Sequence, residues 1–355
     1  MKKLSFIILF FIANYSFAQQ EYDFAIYHDN NIGAWEDGIV AFEQFLNWKE
    51  ISHNRVTAQD INTIDLKDYY KVICFPGGDA DYFNADINPT GIQHIKDLIN
   101  NDGGYIGFCA GAEFACDKLV WEGVTYDYPL DLFQGKSIGP IDDIAVWPSY
   151  DMATLSMNLE NEINQFEPPK EDILYWGGSI FEPYSGTTFN TVATFDDYYD
   201  YPAIINFNYG EGRVLLLSPH PEIEENDDRD NVNVAEELDD LGTDWNFLWA
   251  ATDWLLGNQI TDATLSNPDF SINPEVIIYP IPTSKAIFIK FPEIYNLNAS
   301  FSIFDYLGRN ILTKKIYLNT DLISINVGKF SNGIYILKMF ITEEVVLNKK
   351  IIISR

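Results

Sequence analysis

Apolar and polar positions follow two regimes along the chain. In the first 120 residues, short runs that are apolar throughout alternate with stretches whose apolar residues recur at helical spacing. A strand is predicted over 23–27 and a helix over 35–48, where Ile39, Val40, Phe42, Phe45 and Leu46 share one face. Strands follow at 52–57 and 72–75, the second apolar at every position, as suits a strand covered on both faces. A helix spans 92–99, and a buried strand over 103–108 turns into a helix expected to continue through Ala115 and Leu119. Strand alternating with helix predicts an α/β domain with a parallel sheet covered on both faces. In such sheets functional groups gather at the carboxyl ends of the strands.

From 120 to 200 the helical spacing stops. Short strands are predicted at 132–138, 173–175 and 191–194, broken by Gly, Pro and acidic residues. Residues 203–208 and 213–218 form a hairpin across Tyr209-Gly210-Glu211-Gly212. A helix over 245–256, apolar at Phe247, Leu248, Ala251, Trp254 and Leu255, stops at Gly257 and closes the domain 19–257. Residues 258–274, with Asn267-Pro268 and Asn273-Pro274, read as a linker. Beyond it, over 275–355, the period drops to two. Strands at 287–291, 299–306, 311–317, 323–327, 333–341 and 345–353, with turns at Leu307-Gly308-Arg309-Asn310 and Ser331-Asn332-Gly333, predict a small all-β sandwich.

Charge sharpens this division. The 355 residues carry a formal net charge of −31. Residues 19–274 hold 47 Asp/Glu against 10 Lys/Arg, whereas 275–355 hold 6 against 10, a step that separates two domains with different jobs. The acidic part repels nucleic acid and anionic membrane, which excludes both as main partners. Lys2 and Lys3, the apolar run over 4–13 and Ser16-Phe17-Ala18 have the layout of a signal peptide over 1–18. The apolar run is well short of the ~20 residues of a spanning helix, so a secreted or cell-surface protein is expected rather than an integral membrane protein.

The chemistry concentrates at Gly107-Phe108-Cys109-Ala110-Gly111. A strand that turns sharply into a helix, with only small residues around the turn, is a nucleophile elbow. A Cys at a helix N-terminus has amides and a dipole that favour its thiolate and hold a developing oxyanion. The plain alternative is a buried structural thiol, the role expected of Cys74 and Cys116. The loop Pro76-Gly77-Gly78 follows another buried strand, and its amides, with that of Ala110, can complete an oxyanion hole. In Ser218-Pro219-His220-Pro221-Glu222, the prolines should hold His220 in extended backbone. Side chains two apart then point the same way and pair a base with its carboxylate. His28, at the end of the first strand, is the rival base. It and Glu113 are candidates for the substrate pocket; the aromatics beside Gly177 and Gly178 are read chiefly as core, with a pocket wall as the alternative. The acidic run 222–230 lacks the Gly-punctuated spacing of a calcium loop, and neither a metal nor a cofactor is predicted.

Taken in order, Pro76-Gly77-Gly78, Gly107-Phe108-Cys109-Ala110-Gly111 and His220-Pro221-Glu222 resemble the class I glutamine amidotransferase-like superfamily. Over about 22–257 the chain is similar to the family named for the N-terminal part of biotin-protein ligase. The resemblance implies a flavodoxin-like, three-layer parallel-sheet fold, a catalytic triad of Cys109, His220 and Glu222, and an oxyanion hole from Gly77, Gly78 and Ala110. Where glutamine amidotransferases carry Gln in Cys-x-Gly-x-Gln, this chain has Glu113, whose carboxylate repels that of a glutamine substrate. No synthetase or biotin-ligase catalytic domain accompanies it. Hydrolysis of an amide, peptide or ester is therefore expected, on a small-molecule or peptide substrate. A catalytically inactive surface ligand-binding module of the same fold is the alternative. Tyr279-Pro280-Ile281-Pro282, Phe330-Ser331-Asn332-Gly333-Ile334-Tyr335 and Lys349-Lys350-Ile351-Ile352 resemble the C-terminal sorting domain of the type IX secretion system, over about 275–354. That resemblance implies the type IX secretion machinery as a partner.

Overall fold

The computed structural model describes residues 22–263 and 277–354, apart from 197, 226–227, 239–241, 292–297, 306–308, 318, 321 and 342–343. The predicted signal peptide, most of the predicted linker and the Leu307-Gly308 turn lie outside the described residues. The chain divides between Leu265 and Ser266 into two compact units.

In the first unit β1 (Tyr22–Tyr27), α1 (Glu36–Trp48), β2 (His53–Val56), α2 (Ala58–Thr63), β3 (Tyr70–Phe75), α3 (Ala80–Asp86), α4 (Pro89–Asn100), β4 (Gly104–Phe108) and α5 (Ala110–Phe114) follow the alternation of the sequence. Helices α2, α3 and α4 start at side-chain caps that the sequence supplies, whereas α1 and α5 have none. Thr57 and Asp60 form a capping box for α2, and Asn88 caps α4 ahead of Pro89.

After α5 come β5 (Cys116–Trp121), β6 (Val124–Asp127), β7 (Phe133–Gly139), β8 (Asp151–Met157), β9 (Lys170–Tyr175), β10 (Ile180–Pro183), β11 (Asn190–Phe195), β12 (Pro202–Tyr209), β13 (Gly212–Leu217) and α6 (Trp245–Leu255). The main sheet has nine strands in the order β2-β1-β3-β4-β13-β12-β11-β8-β9. Its first five strands are mutually parallel and the remaining pairings are antiparallel, so the sheet is mixed. Strand alternation sorts the aromatic rings. Phe24 and Phe108 meet Phe42 of α1 on one face, whereas Phe75, stacked on Tyr27 and Tyr105, meets Phe83 of α3 and Phe114 of α5 on the other.

The helix expected to run through Leu119 ends at Phe114. Residues 116–121 are β5, which pairs with β6 and β7 in a second sheet ordered β10-β7-β5-β6. Hydrogen bonding to β7, from Cys116↔Phe133 to Trp121↔Gly139, overrides a local spacing equally compatible with a helix.

The second unit comprises β14 (Ile277–Tyr279), β15 (Ala286–Lys290), β16 (Asn298–Asp305), β17 (Asn310–Tyr317), β18 (Leu322–Asn326), β19 (Gly333–Ile341) and β20 (Glu344–Ile353). They form sheets ordered β14-β15-β18 and β17-β16-β19-β20. Ile287, Ile289, Ile303, Ile325, Leu337 and Ile351, from both sheets, share one core. Among the described residues no helix is long and apolar enough to cross a membrane.

Candidate active site

Strands β3 and β4 run parallel with Phe75 opposite Gly107, so the loops after them leave the sheet at the same edge. At that edge Cys109 has φ 44° and ψ −109°, a left-handed backbone costly for any residue with a Cβ and tolerated here because its surroundings over-determine it. Its amide donates to Leu217 O at 2.8 Å, and Gly111 N donates to Pro76 O at 3.0 Å. Gly111 is required by proximity: a Cβ there would lie 2.1 Å from Phe75 O.

The Cys109 residue is 8% exposed, and its thiol donates to the Trp176 carbonyl at 3.6 Å. Burial, then the Glu113 charge, push the thiol well above its ordinary range. The Ala110 amide opposes the shift, Glu222 adds to it, and the Gly78 amide opposes it. The thiolate expected at a helix N-terminus is therefore outweighed at rest. Burial is the main reason, and the Glu113 and Glu222 carboxylates add to it. The Gly78 and Ala110 amides nevertheless both favour the anionic form of the sulfur.

The Gly78 backbone adopts φ 134°, where a Cβ would lie 1.9 Å from Gly33 O. The loop after β1 is stitched against it, with Asp79 N donating to Gly33 O at 2.8 Å and Trp35 N to Gly77 O at 2.9 Å. That loop is held in turn by the buried Asp29 carboxylate, which accepts from the amides of Ile32 (3.0 Å), Gly33 (2.7 Å) and Ala34 (2.9 Å).

His220 Nδ1 lies 2.8 Å from Glu222 Oε1, and both side chains are buried. A carboxylate acceptor places the proton on Nδ1 and leaves Nε2 as the basic nitrogen. The pairing does not arise from extended backbone. Ile223 N donates to His220 O at 3.2 Å, so the chain turns at Pro221 and folds Glu222 back onto the ring. His220 N is anchored on Leu174 O of β9 at 2.8 Å, and the Trp35 ring meets the imidazole at 87° with centroids 5.0 Å apart. Glu222 Oε2 is buried without a hydrogen-bond partner.

Cys109, His220, Gly78 and Glu113 line one cavity of about 260 Å³, walled by Trp35, Trp121, Trp147 and Trp176. Glu113 accepts a hydrogen bond from Ser179 Oγ. Burial pushes its carboxyl up to about 7, opposed by the Ser179 bond and reinforced by Asp79. Gly77 reaches the site through His220, since a Cβ there would lie 2.7 Å from Cε1. His28 is half-buried at the end of β1, its amide donating to Val56 O, and it does not line the cavity. Of the aromatics near Gly177, Trp176 lines the cavity, whereas Tyr175 is fully buried and donates to Gly178 O at 2.8 Å. All three cysteines are free, and among the described residues no group of His, Cys, Asp or Glu is arranged to hold a metal ion.

Sequence reasoning missed Asp29 and the tryptophans at 35, 121 and 147. Asp29 had a local signal, an acidic residue before Asn-Asn-Ile-Gly at a strand end, which favours a carboxylate-to-amide turn. The tryptophans come from separate segments and carry no such signal.

Residues 277–354 match the family described as "Secretion system C-terminal sorting domain". A protein of Chlamydia muridarum (strain MoPn / Nigg), described as uncharacterized, is 28% identical over 161 residues, covering 43% of this chain and 60% of its own. A biotin–protein ligase of Schizosaccharomyces pombe is 27% identical over 160 residues, covering 42% of this chain and 25% of its own. The chain thus spans less than two thirds of the length of either relative. A solved glutamine amidotransferase aligns over 58% of this chain and 93% of its own, with 16% identity and a TM-score of 0.42. Residues 43–245, more than half of the chain, match the family described as "Biotin-protein ligase, N terminal", and the chain belongs to that family.

Proposed function

We propose that this chain is an exported cysteine-dependent hydrolase that cleaves an amide, peptide or ester at Cys109. The observation that carries the reading is the convergence on one sulfur. Cys109 sits in a strained elbow, the Gly78 and Ala110 amides both favour its anionic form, and His220, paired with Glu222, lines the same cavity. The match of residues 277–354 to a sorting domain supports a secreted or cell-surface location and secretion machinery as a partner.

The thiol is neutral at rest, so its proton leaves as the new bond forms. His220 Nε2 takes that proton while Sγ attacks the carbonyl carbon, and Glu222 stabilises the imidazolium. The oxygen of the tetrahedral intermediate is held by the Gly78 and Ala110 amides. The imidazolium returns the proton to the departing amine or alcohol, leaving a thioester on Cys109. Water, deprotonated by His220, then attacks the thioester carbonyl; the C–S bond breaks to release the acid, and the imidazolium returns its proton to the Cys109 sulfur. Reaching this state requires the thiol to leave its bond to the Trp176 carbonyl.

The test is a stopped-flow reaction of the full chain with p-nitrophenyl acetate, followed by peptide mapping. A burst stoichiometric with protein, with the acetyl group on Cys109, is expected. His220→Ala should slow acylation by ~10²–10⁴-fold. Equal labelling of Cys74 and Cys116, or an unchanged rate in His220→Ala, would sink the reading. A second reading, a ligand-binding module without turnover, is favoured by the raised thiol and its bond to Trp176 O. It predicts no burst at all.

A further inference from the structure

Behind the nucleophile the site continues into a second cavity, of about 350 Å³, which shares Gly78, Glu113, Trp121 and Trp147 with the first. Its walls carry three carboxylates, Asp79, Asp81 and Glu113, and neither Lys nor Arg lines it. The acids are not spent on structural cations. Asp79 Oδ1 caps α3 by accepting from Asp81 N at 3.0 Å, Asp81 accepts from the Tyr128 hydroxyl at 3.0 Å, and Glu113 accepts from Ser179.

Glu113 is the informative member. It is 4% exposed and lines both cavities, and its bond from Ser179 Oγ is made to Oε1. Opposite it, Trp121 and Trp147 stand edge to face, with centroids 5.4 Å apart at 86°. Gly177 permits this, since a Cβ there would lie 2.5 Å from Trp147 Cζ3. An aromatic face and carboxylates around one space attract an organic cation, and the acidic unit focuses the same sign of field on the opening.

We infer that this chamber is the subsite for an alkylammonium or guanidinium group on the substrate cleaved at Cys109, an inference that rests on the hydrolase reading. It also accounts for the residue in the elbow. Where a Gln would accommodate a zwitterionic amino acid, Glu113 selects a cationic chain and rejects an anionic one.

The test separates binding from chemistry. Tryptophan fluorescence and calorimetry of the full chain are read against butylguanidinium and its neutral isostere butylurea, in the wild type, Cys109→Ala, Glu113→Gln and Asp81→Asn. Butylguanidinium should bind saturably and at least about tenfold more tightly than butylurea. That preference should persist in Cys109→Ala and collapse in Glu113→Gln. Thermal unfolding checks that Glu113→Gln is folded; if it is not, exposed Asp81 carries the comparison, with a smaller loss expected. Equal binding of the two probes, or none at millimolar concentration, overturns the inference whatever the ester assay shows. Selective binding by a protein that never acylates Cys109 sustains the cation subsite and removes the hydrolase reading alone.

Discussion

Gly77 and His220 are in contact through a missing atom: a Cβ on Gly77 would lie 2.7 Å from His220 Cε1 and 3.3 Å from Trp35 Cε3. The imidazole is thus clamped between the backbone of the loop after β3 and the ring of Trp35, with Glu222 behind it. Gly77→Ala must push the ring off this position. We expect acylation of Cys109 to fall by ~10²-fold, the scale of an ångström-sized misplacement, with the thermal midpoint lowered only modestly. Burst kinetics with p-nitrophenyl acetate beside a melting curve check it; an unchanged burst rate would show that His220 is not the base.

Glu113→Gln should make Cys109 more reactive toward a small alkylating agent. The ionised carboxylate raises the thiol, and an amide carries no charge, so the thiol pKa falls and more thiolate is present at a given pH. Around Glu113 stand Ser179, which bonds it, and Asp79, Cys109, Cys116, Tyr128 and Tyr175, each coupled to it by charge. In the wild type Glu113 ionises near pH 7, so its opposition to the thiolate grows as pH rises through that value. The variant's iodoacetamide rate at pH 8 should exceed the wild type's by roughly several-fold. Peptide mapping, scoring Cys109 apart from Cys74 and Cys116, reads the result.

Asp29→Ala removes the acceptor for three backbone amides in the loop that braces Gly77 and Gly78. A loss of about 2–3 kcal/mol in urea denaturation is expected. Asp29→Asn, which keeps one carbonyl acceptor, should recover part of it. The oxyanion amides depend on this loop, so the acylation rate of the alanine variant should fall even at temperatures where it is fully folded.

Lys49, just after α1, pairs through Nζ with Asp253 of α6 at 2.7 Å and donates to Thr252 Oγ1 at 2.8 Å. Burial, offset by Asp253, brings its pKa down to about 8. The folded value lies below the unfolded one, so between about pH 8 and 10.5 the unfolded chain binds more protons and stability rises with pH. Relative to Lys49→Met, the wild type should gain about 1–3 kcal/mol across that window, measured by urea melts. A constant difference would mean that the ammonium is not desolvated.

What the sequence determined by itself was local. Helical spacing located α1, α4 and α6, continuous apolar runs located β1, β3 and β4, and period-two alternation located β15 to β20 but not the three-residue β14, because each rests on the geometry of neighbouring residues. The small residues around Cys109 predicted the strained elbow for the same reason. Only the tertiary structure decided the rest. Cys116–Trp121 became a strand because β7 supplied a hydrogen-bonding edge that no local pattern records. Glu222 reached His220 through a turn rather than an extended chain. The cavity joins Trp35, Trp121, Trp147 and Trp176 from four separate segments, and it buries Cys109 and Glu113 deeply enough to raise both. Desolvation and cavity shape depend on which distant segments close over a group, and that is a property of packing rather than of spacing along the chain.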